Sequence, residues 1–182
     1  CCGRGWYRME APLAKAAPVR IAVFDVDGVL TDGGLVCGER GEELKIFHVQ
    51  DGLGLEMLRR SGCDIAVISA RSSNVVARRM ADLGISRVYQ GVRDKRAGLL
   101  ALLNESAYGK SDVAYTGDDL LDLPAMRESG LAIAVANAHP LVKERADWVT
   151  TSPGGGGAVR EVCELILRAR GELDSIYQEY LR

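Results

Sequence analysis

The sequence predicts a three-layer α/β/α fold built on a parallel sheet, with one β-hairpin projecting from it. Three observations carry this. Short apolar runs rich in strand formers recur at 21–25, 64–69, 112–119, 131–135 and 146–150. Helical patterns separate them, at 52–61, 73–83, 95–105, 119–128, 140–145 and 157–169. Strands alternating with helices imply a parallel sheet covered on both faces. Finally, three strand ends carry polar groups: Asp25, Ser69 and Gly117-Asp118-Asp119. Open sheets of this Rossmann-like kind bind ligands at the carboxyl ends of their strands, near a switch point.

Taken in order, residues 1–19 read as a loose leader with no continuous apolar core, unlike a secretory signal. The domain is expected over 20–170 and a tail over 171–182. The first apolar run, IAVF, ends in Asp25-Val26-Asp27-Gly28. In an extended segment residues i and i+2 point to the same side, so Asp25 and Asp27 can converge. Two close carboxylates repel unless a cation or a proton lies between them. Magnesium suits such a place because it takes hard oxygen ligands, and Gly28 lets the backbone turn sharply. Residues 33–50 break the alternation and read as a hairpin with arms GLVC and EELKIFHV and a turn at Gly38-Glu39-Arg40-Gly41. Its apolar arms invite a partner strand. Further on, Ser69 ends the second main run, and Lys95 opens a helix where it could balance the charge of a phosphoryl group. Asp118 and Asp119 follow the third run and are placed to complete a metal's ligands.

Composition excludes other classes. The 182 residues fit one domain. With a net charge of −2 and no basic run, nucleic-acid binding is not expected. No apolar stretch is long enough to span a membrane. The five cysteines are odd in number and match no zinc spacing. Cys63 and Cys163 sit in apolar patterns as buried thiols, which suits a reducing cytoplasm.

The ordered set Asp25-Val26-Asp27-Gly28, Ser69, Lys95 and Asp118-Asp119 resembles the haloacid dehalogenase superfamily of phosphatases. The resemblance implies Asp25 as nucleophile and Asp27 as general acid, then base. It implies Ser69 and Lys95 as phosphate holders. Magnesium would be held by the Asp25 and Asp118 side chains and the Asp27 carbonyl, and Asp119 would support Lys95 or a metal-bound water. Larger members insert a cap domain after the first motif or between the second and third. Here those intervals hold only the hairpin with one helix, and one helix with one strand, so no cap fits. Within the capless branch, GEELKIFHVQDGLGL (41–55), ISAR (68–71), YQGVRDK (89–95), AYTGDDLLDLPAM (114–126) and GGGGAVREVCELILRARGELD (154–174) resemble the 3-deoxy-D-manno-octulosonate 8-phosphate phosphatases. That likeness implies a homotetramer whose hairpins form a central barrel and cap neighbouring sites. It also implies a C-terminal tail reaching toward an active site, and Arg71 near the sugar-acid carboxylate. Two departures stand out: Gly156 replaces a family arginine in G-G-R-G, and Ser69-Ala70-Arg71 replaces Thr-Gly-Arg.

Several residues have plainer readings. Asp51 is expected to cap the helix at 52–61, and Asp94 the helix that follows it. His48 and His139 read as structural, and Asp122 as a helix-face residue supporting its loop. The glycines at 154–157 read as a flexible turn. Two alternatives stay open at this point. One is a related substrate, such as a sialic-acid-type 9-phosphate, and the other is a non-catalytic tetramerisation module.

Overall fold

The structure is a computed structural model and describes residues 7–39 and 43–182. Six strands form one parallel sheet in the order β5-β4-β1-β6-β7-β8. They are β1 (Ile21–Phe24), β4 (Asp64–Ile68), β5 (Arg87–Tyr89), β6 (Val113–Gly117), β7 (Leu131–Ala134) and β8 (Trp148–Val149). The helices are α1 (Tyr7–Ala16), α2 (Val49–Arg60), α3 (Asn74–Asp82), α4 (Lys95–Asn104), α5 (Leu123–Met126), α6 (Pro140–Arg145), α7 (Ala158–Ala169) and α8 (Leu173–Tyr180). The α/β expectation holds. Strand β1 is central: Ile21 pairs with Asp64 on one side and Val113 on the other. All four residues of β1 are buried, as a strand covered by helices on both faces requires. Chain order reverses on either side of β1, so the carboxyl ends of β1, β4 and β6 meet at the switch point.

The hairpin forms, but with short strands. Val36–Cys37 (β2) and Glu43–Leu44 (β3) pair antiparallel. Residues 34–35 and 45–48 of the expected arms are irregular, Val49 begins α2, and residues 40–42 lie outside the described residues. Cys1 and Cys2 also lie outside them. Cys63 and Cys163 are free and buried, as expected, and Cys37 is free and exposed. Burial pushes the Cys63 thiol up to about 12, leaving it unreactive.

The leader differs from its expectation. Residues Tyr7–Ala16 form α1, which packs on α7 and β7, and Ala16 and Val19 are buried in the core. Lys15 pairs with Asp147 at 2.5 Å. The small alanines here make little hydrophobic pattern, so the packing face was not visible in the sequence. At the other end, helix α8 folds back on the chain, burying Leu173 and pairing Arg60 with Glu179 at 3.2 Å.

Candidate active site

The site begins where β1 stops. Asp25 is extended and its carboxylate accepts a hydrogen bond from the Val26 N–H at 2.6 Å. The chain then makes one wide turn, closed by the Thr31 N–H donating to the Val26 carbonyl at 3.1 Å. Gly28 takes φ +93° in this turn, and a Cβ there would lie 2.0 Å from Asp118 Oδ2. Both the backbone and the neighbouring carboxylate therefore demand glycine. The loop rests on the glycine run. A Cβ on Gly154 would fall 1.7 Å from the Gly28 carbonyl oxygen, and the Gly155 N–H donates to the Val29 carbonyl at 2.9 Å. The run expected to be a flexible turn is instead a packed floor beneath Asp25–Thr31.

A cleft of about 290 Å³ brings together Asp25, Asp27, Ser69, Arg71, Lys95, Asp118 and Asp119, with Gly33, Ala70 and Leu121. Gly28 lies against Asp118 at its edge. Lys95 Nζ sits 2.6 Å from Asp25 Oδ2 and 2.6 Å from Asp122 Oδ1. Burial works against the Lys95 charge, but Asp122 and Asp25 outweigh it and hold its pKa above the usual lysine value. The Ser69 hydroxyl oxygen accepts from the Arg71 N–H at 3.2 Å, which leaves its proton free to donate. Arg71, with half its side chain exposed, reaches Glu43 at 3.3 Å and Asp27 at 3.8 Å.

The partner of Lys95 is a correction. Asp119 is expected to support Lys95 or a metal-bound water; its carboxylate caps the turn after β6 by accepting from the Leu120 N–H at 2.8 Å. Asp122, fully buried, takes the role. Its Oδ1 accepts from Lys95 and from the Tyr115 hydroxyl at 3.0 Å. Its Oδ2 accepts from the N–H groups of Asp118 and Asp119 at 3.0 and 3.2 Å. Asp51 is a second correction. It lies inside α2 rather than before it, and its carboxylate caps α7, accepting from the Arg160 N–H at 2.8 Å. Asp94 does cap α4, accepting from Ala97 N–H at 3.0 Å, and His139 caps α6 through Nδ1.

Carboxylate oxygens of Asp25, Asp118 and Asp122 lie within 4.8 Å of one another. The four bonds to Asp122 use its oxygens fully, so Asp25 and Asp118 are left to hold a cation. Among the described residues, Asp118 Oδ1 is buried with no hydrogen-bond partner. Burial first, then Asp122, pushes Asp25 up to about 6. Burial, Asp122 and Asp25 push Asp118 up to about 7. The Asp25 carboxylate and the unpartnered Asp118 oxygen beside it are hard oxygen donors and fit a magnesium ion.

Comparison with known proteins agrees with this geometry. The chain is 49% identical, over 162 residues, to the 3-deoxy-D-manno-octulosonate 8-phosphate phosphatase of Escherichia coli strain K12, covering 89% of this chain and 86% of that one. The chain belongs to the 3-deoxy-D-manno-octulosonate 8-phosphate phosphatase family. A sequence profile of the haloacid dehalogenase-like hydrolases matches residues 80–162. The crystal structure of a probable YrbI family phosphatase from Pseudomonas syringae superposes with a TM-score of 0.94 at 47% identity, covering 95% of this chain and 98% of that one. The family's enzyme from Moraxella catarrhalis, in complex with magnesium, phosphate and KDO, superposes with a TM-score of 0.91 at 44% identity, covering 93% of this chain and 97% of that one.

Two residues around the family's site were not found by sequence reasoning. Lys45 contacts Asp27, and Glu43 pairs with both Lys45 and Arg71. Their alternation on one hairpin arm was the available signal, since i and i+2 of a strand share a face.

Proposed function

We propose that the protein is a magnesium-dependent phosphatase that hydrolyses 3-deoxy-D-manno-octulosonate 8-phosphate to the free sugar acid and phosphate, a step in making KDO for lipopolysaccharide. One observation carries the chemistry: Asp25 stands at the switch point with an oxygen 2.6 Å from a buried lysine, beside the unpartnered carboxylate of Asp118. Family membership carries the substrate.

In the first step an Asp25 oxygen bonds to phosphorus as the bond from phosphorus to the sugar oxygen breaks. Asp27 gives that oxygen a proton. In the second step Asp27 takes a proton from water, the water oxygen bonds to phosphorus, and the aspartyl–phosphate bond breaks. The Ser69 hydroxyl and the Lys95 ammonium hold phosphoryl oxygens through both steps. Asp122 keeps Lys95 charged and aimed, while Asp119 shapes the turn that carries Asp118. Magnesium, held by the Asp25 and Asp118 carboxylates and the Asp27 carbonyl, supplies the positive charge that lets an anionic nucleophile approach an anionic phosphate. Arg71 stands at the rim, where its planar fork suits the sugar carboxylate.

The assembly in this reading is a homotetramer. Leu35, Val36, Leu44, Ile46 and Val49 are large apolar residues exposed on or beside the hairpin, a face that a second copy would cover. The reading places the enzyme in the cytoplasm, which agrees with the free thiols. Among the described residues no helix is long and apolar enough to cross a membrane. Phosphate release with magnesium tests the function, using octulosonate 8-phosphate, a sialic-acid-type 9-phosphate, a hexose phosphate and p-nitrophenyl phosphate. Preference for the first is expected. Preference for the 9-phosphate overturns the substrate, and no release from any overturns catalysis.

A further inference from the structure

Lys45 approaches the catalytic loop from the hairpin, and its side chain is only 2% exposed. Its ammonium contacts Asp27 Oδ1 and lies 3.1 Å from Glu43 Oε1. Arg71 closes the ring, 3.3 Å from the same Glu43 oxygen and 3.8 Å from Asp27 Oδ2. Four charges of alternating sign therefore form a loop joining the hairpin, the turn after β1 and the end of β4. We propose that Lys45 is a positioning residue for Asp27, brought in by the hairpin, so that the hairpin sets the geometry of acid–base catalysis.

The physical argument has two parts. Taking an ammonium out of water costs several kcal/mol unless it is paired. Lysine is usually exposed, so its burial here, just past the end of β3, is held by Asp27 and Glu43. The two oxygens of Asp27 are then unequal. Oδ1 is occupied by Lys45, which fixes the rotamer. Oδ2 has only Arg71, beyond hydrogen-bond length, and stays free to give a proton to the leaving sugar oxygen and take one from water. Without Lys45, a carboxyl with a fifth of its side chain exposed would rotate away from the reacting atoms.

The proposal rests on Asp27 acting as acid and base, and the test separates the two. Lys45→Met is compared with the parent enzyme by rapid-quench kinetics with magnesium. Nitrophenolate leaves without needing a proton, so phosphoenzyme formation from p-nitrophenyl phosphate should stay within about fivefold of the parent. Hydrolysis of that phosphoenzyme should slow by about 100-fold, which appears as a burst followed by a slow steady state. Formation from octulosonate 8-phosphate should slow by a similar factor. Equal loss of burst and hydrolysis, or parent-like rates in every step, overturns the Lys45 proposal. A parent enzyme that is active on p-nitrophenyl phosphate but not on octulosonate 8-phosphate overturns the substrate reading instead, and the nitrophenyl arms still decide Lys45. Lys45→Gln, which keeps a donor at the same place, should recover part of the lost hydrolysis rate. No recovery in a variant that still gives the burst counts against positioning by hydrogen bond.

Discussion

Asp122 shows how much one buried carboxylate can organise. It holds Lys95, the Tyr115 hydroxyl and two backbone N–H groups at once. Removing one member of a buried ion pair costs about 3–5 kcal/mol, because the other charge is left unpaired. Asp122→Ala should therefore lower unfolding free energy by about that much, and denaturant titration measures it. Phosphatase activity should fall with it, since Lys95 loses its second anchor. Arg71 is a different case: it is half-exposed and its ion pairs are surface-like, so Arg71→Ala should leave stability within about 0.5 kcal/mol. The variant should raise KM for the sugar-acid phosphate by about tenfold, with little change for p-nitrophenyl phosphate. Equal effects on both substrates would remove Arg71 from carboxylate recognition. In the sequence, Asp119 and Asp122 look alike. Only the tight turn at Leu120–Asp122 points the second inward, which is why Asp122 as the partner of Lys95 was not legible in the sequence.

The loop after β1 and the glycine segment before α7 behave as one unit, because their backbones touch. Gly154→Ala puts a methyl group into the Gly28 carbonyl, so the loop has to move. Overpacking of this kind costs about 1–3 kcal/mol, and here it should also weaken magnesium binding through Asp118. Gly156→Ala is the control. Its backbone is not strained, and an added Cβ meets Pro153 at 3.1 Å at the nearest. Thermal melts and magnesium titration should separate the two variants clearly. The absence of the family arginine at Gly156 thus leaves the floor of the site intact. The strands and helices themselves were legible, since each follows from local periodicity. Asp51 was not, because its carboxylate caps α7 by accepting from Arg160, 109 positions away in sequence.

For the whole molecule, metal binding and protonation are coupled. In the metal-free chain Asp25 and Asp118 are pushed up to about 6 and about 7, above their ordinary value of 3.8. The folded chain therefore binds more protons than the unfolded one between about pH 4 and 7. Its metal-free stability is present below that window and is lost as pH rises through it. Magnesium must displace those protons, so its stabilising effect should grow from pH 5.5 to pH 8. At a concentration about 100-fold above its dissociation constant, the gain at pH 8 should be about 2.7 kcal/mol. Melting curves with and without magnesium at several pH values check this, and a gain that shrinks with rising pH contradicts it. The apolar hairpin face makes a separate prediction. On the proposed homotetramer, Ile46→Glu should lower the sedimentation coefficient to that of a smaller species, because a charge would be buried between copies.

By itself the sequence determined the α/β architecture, the strand ends that converge, and the four-part set from Asp25 to Asp118. Each of these is a local signal, whether an alternation of apolar runs, a spacing of two along a strand, or a residue type at a strand's end. Tertiary structure decided which charges pair. Lys95 meets Asp122, Lys45 meets Asp27, and Asp51 meets the start of α7 because the fold brings distant segments within hydrogen-bond reach. Coulomb and desolvation energies depend on distance and burial, and neither can be read from one residue's neighbours in the chain.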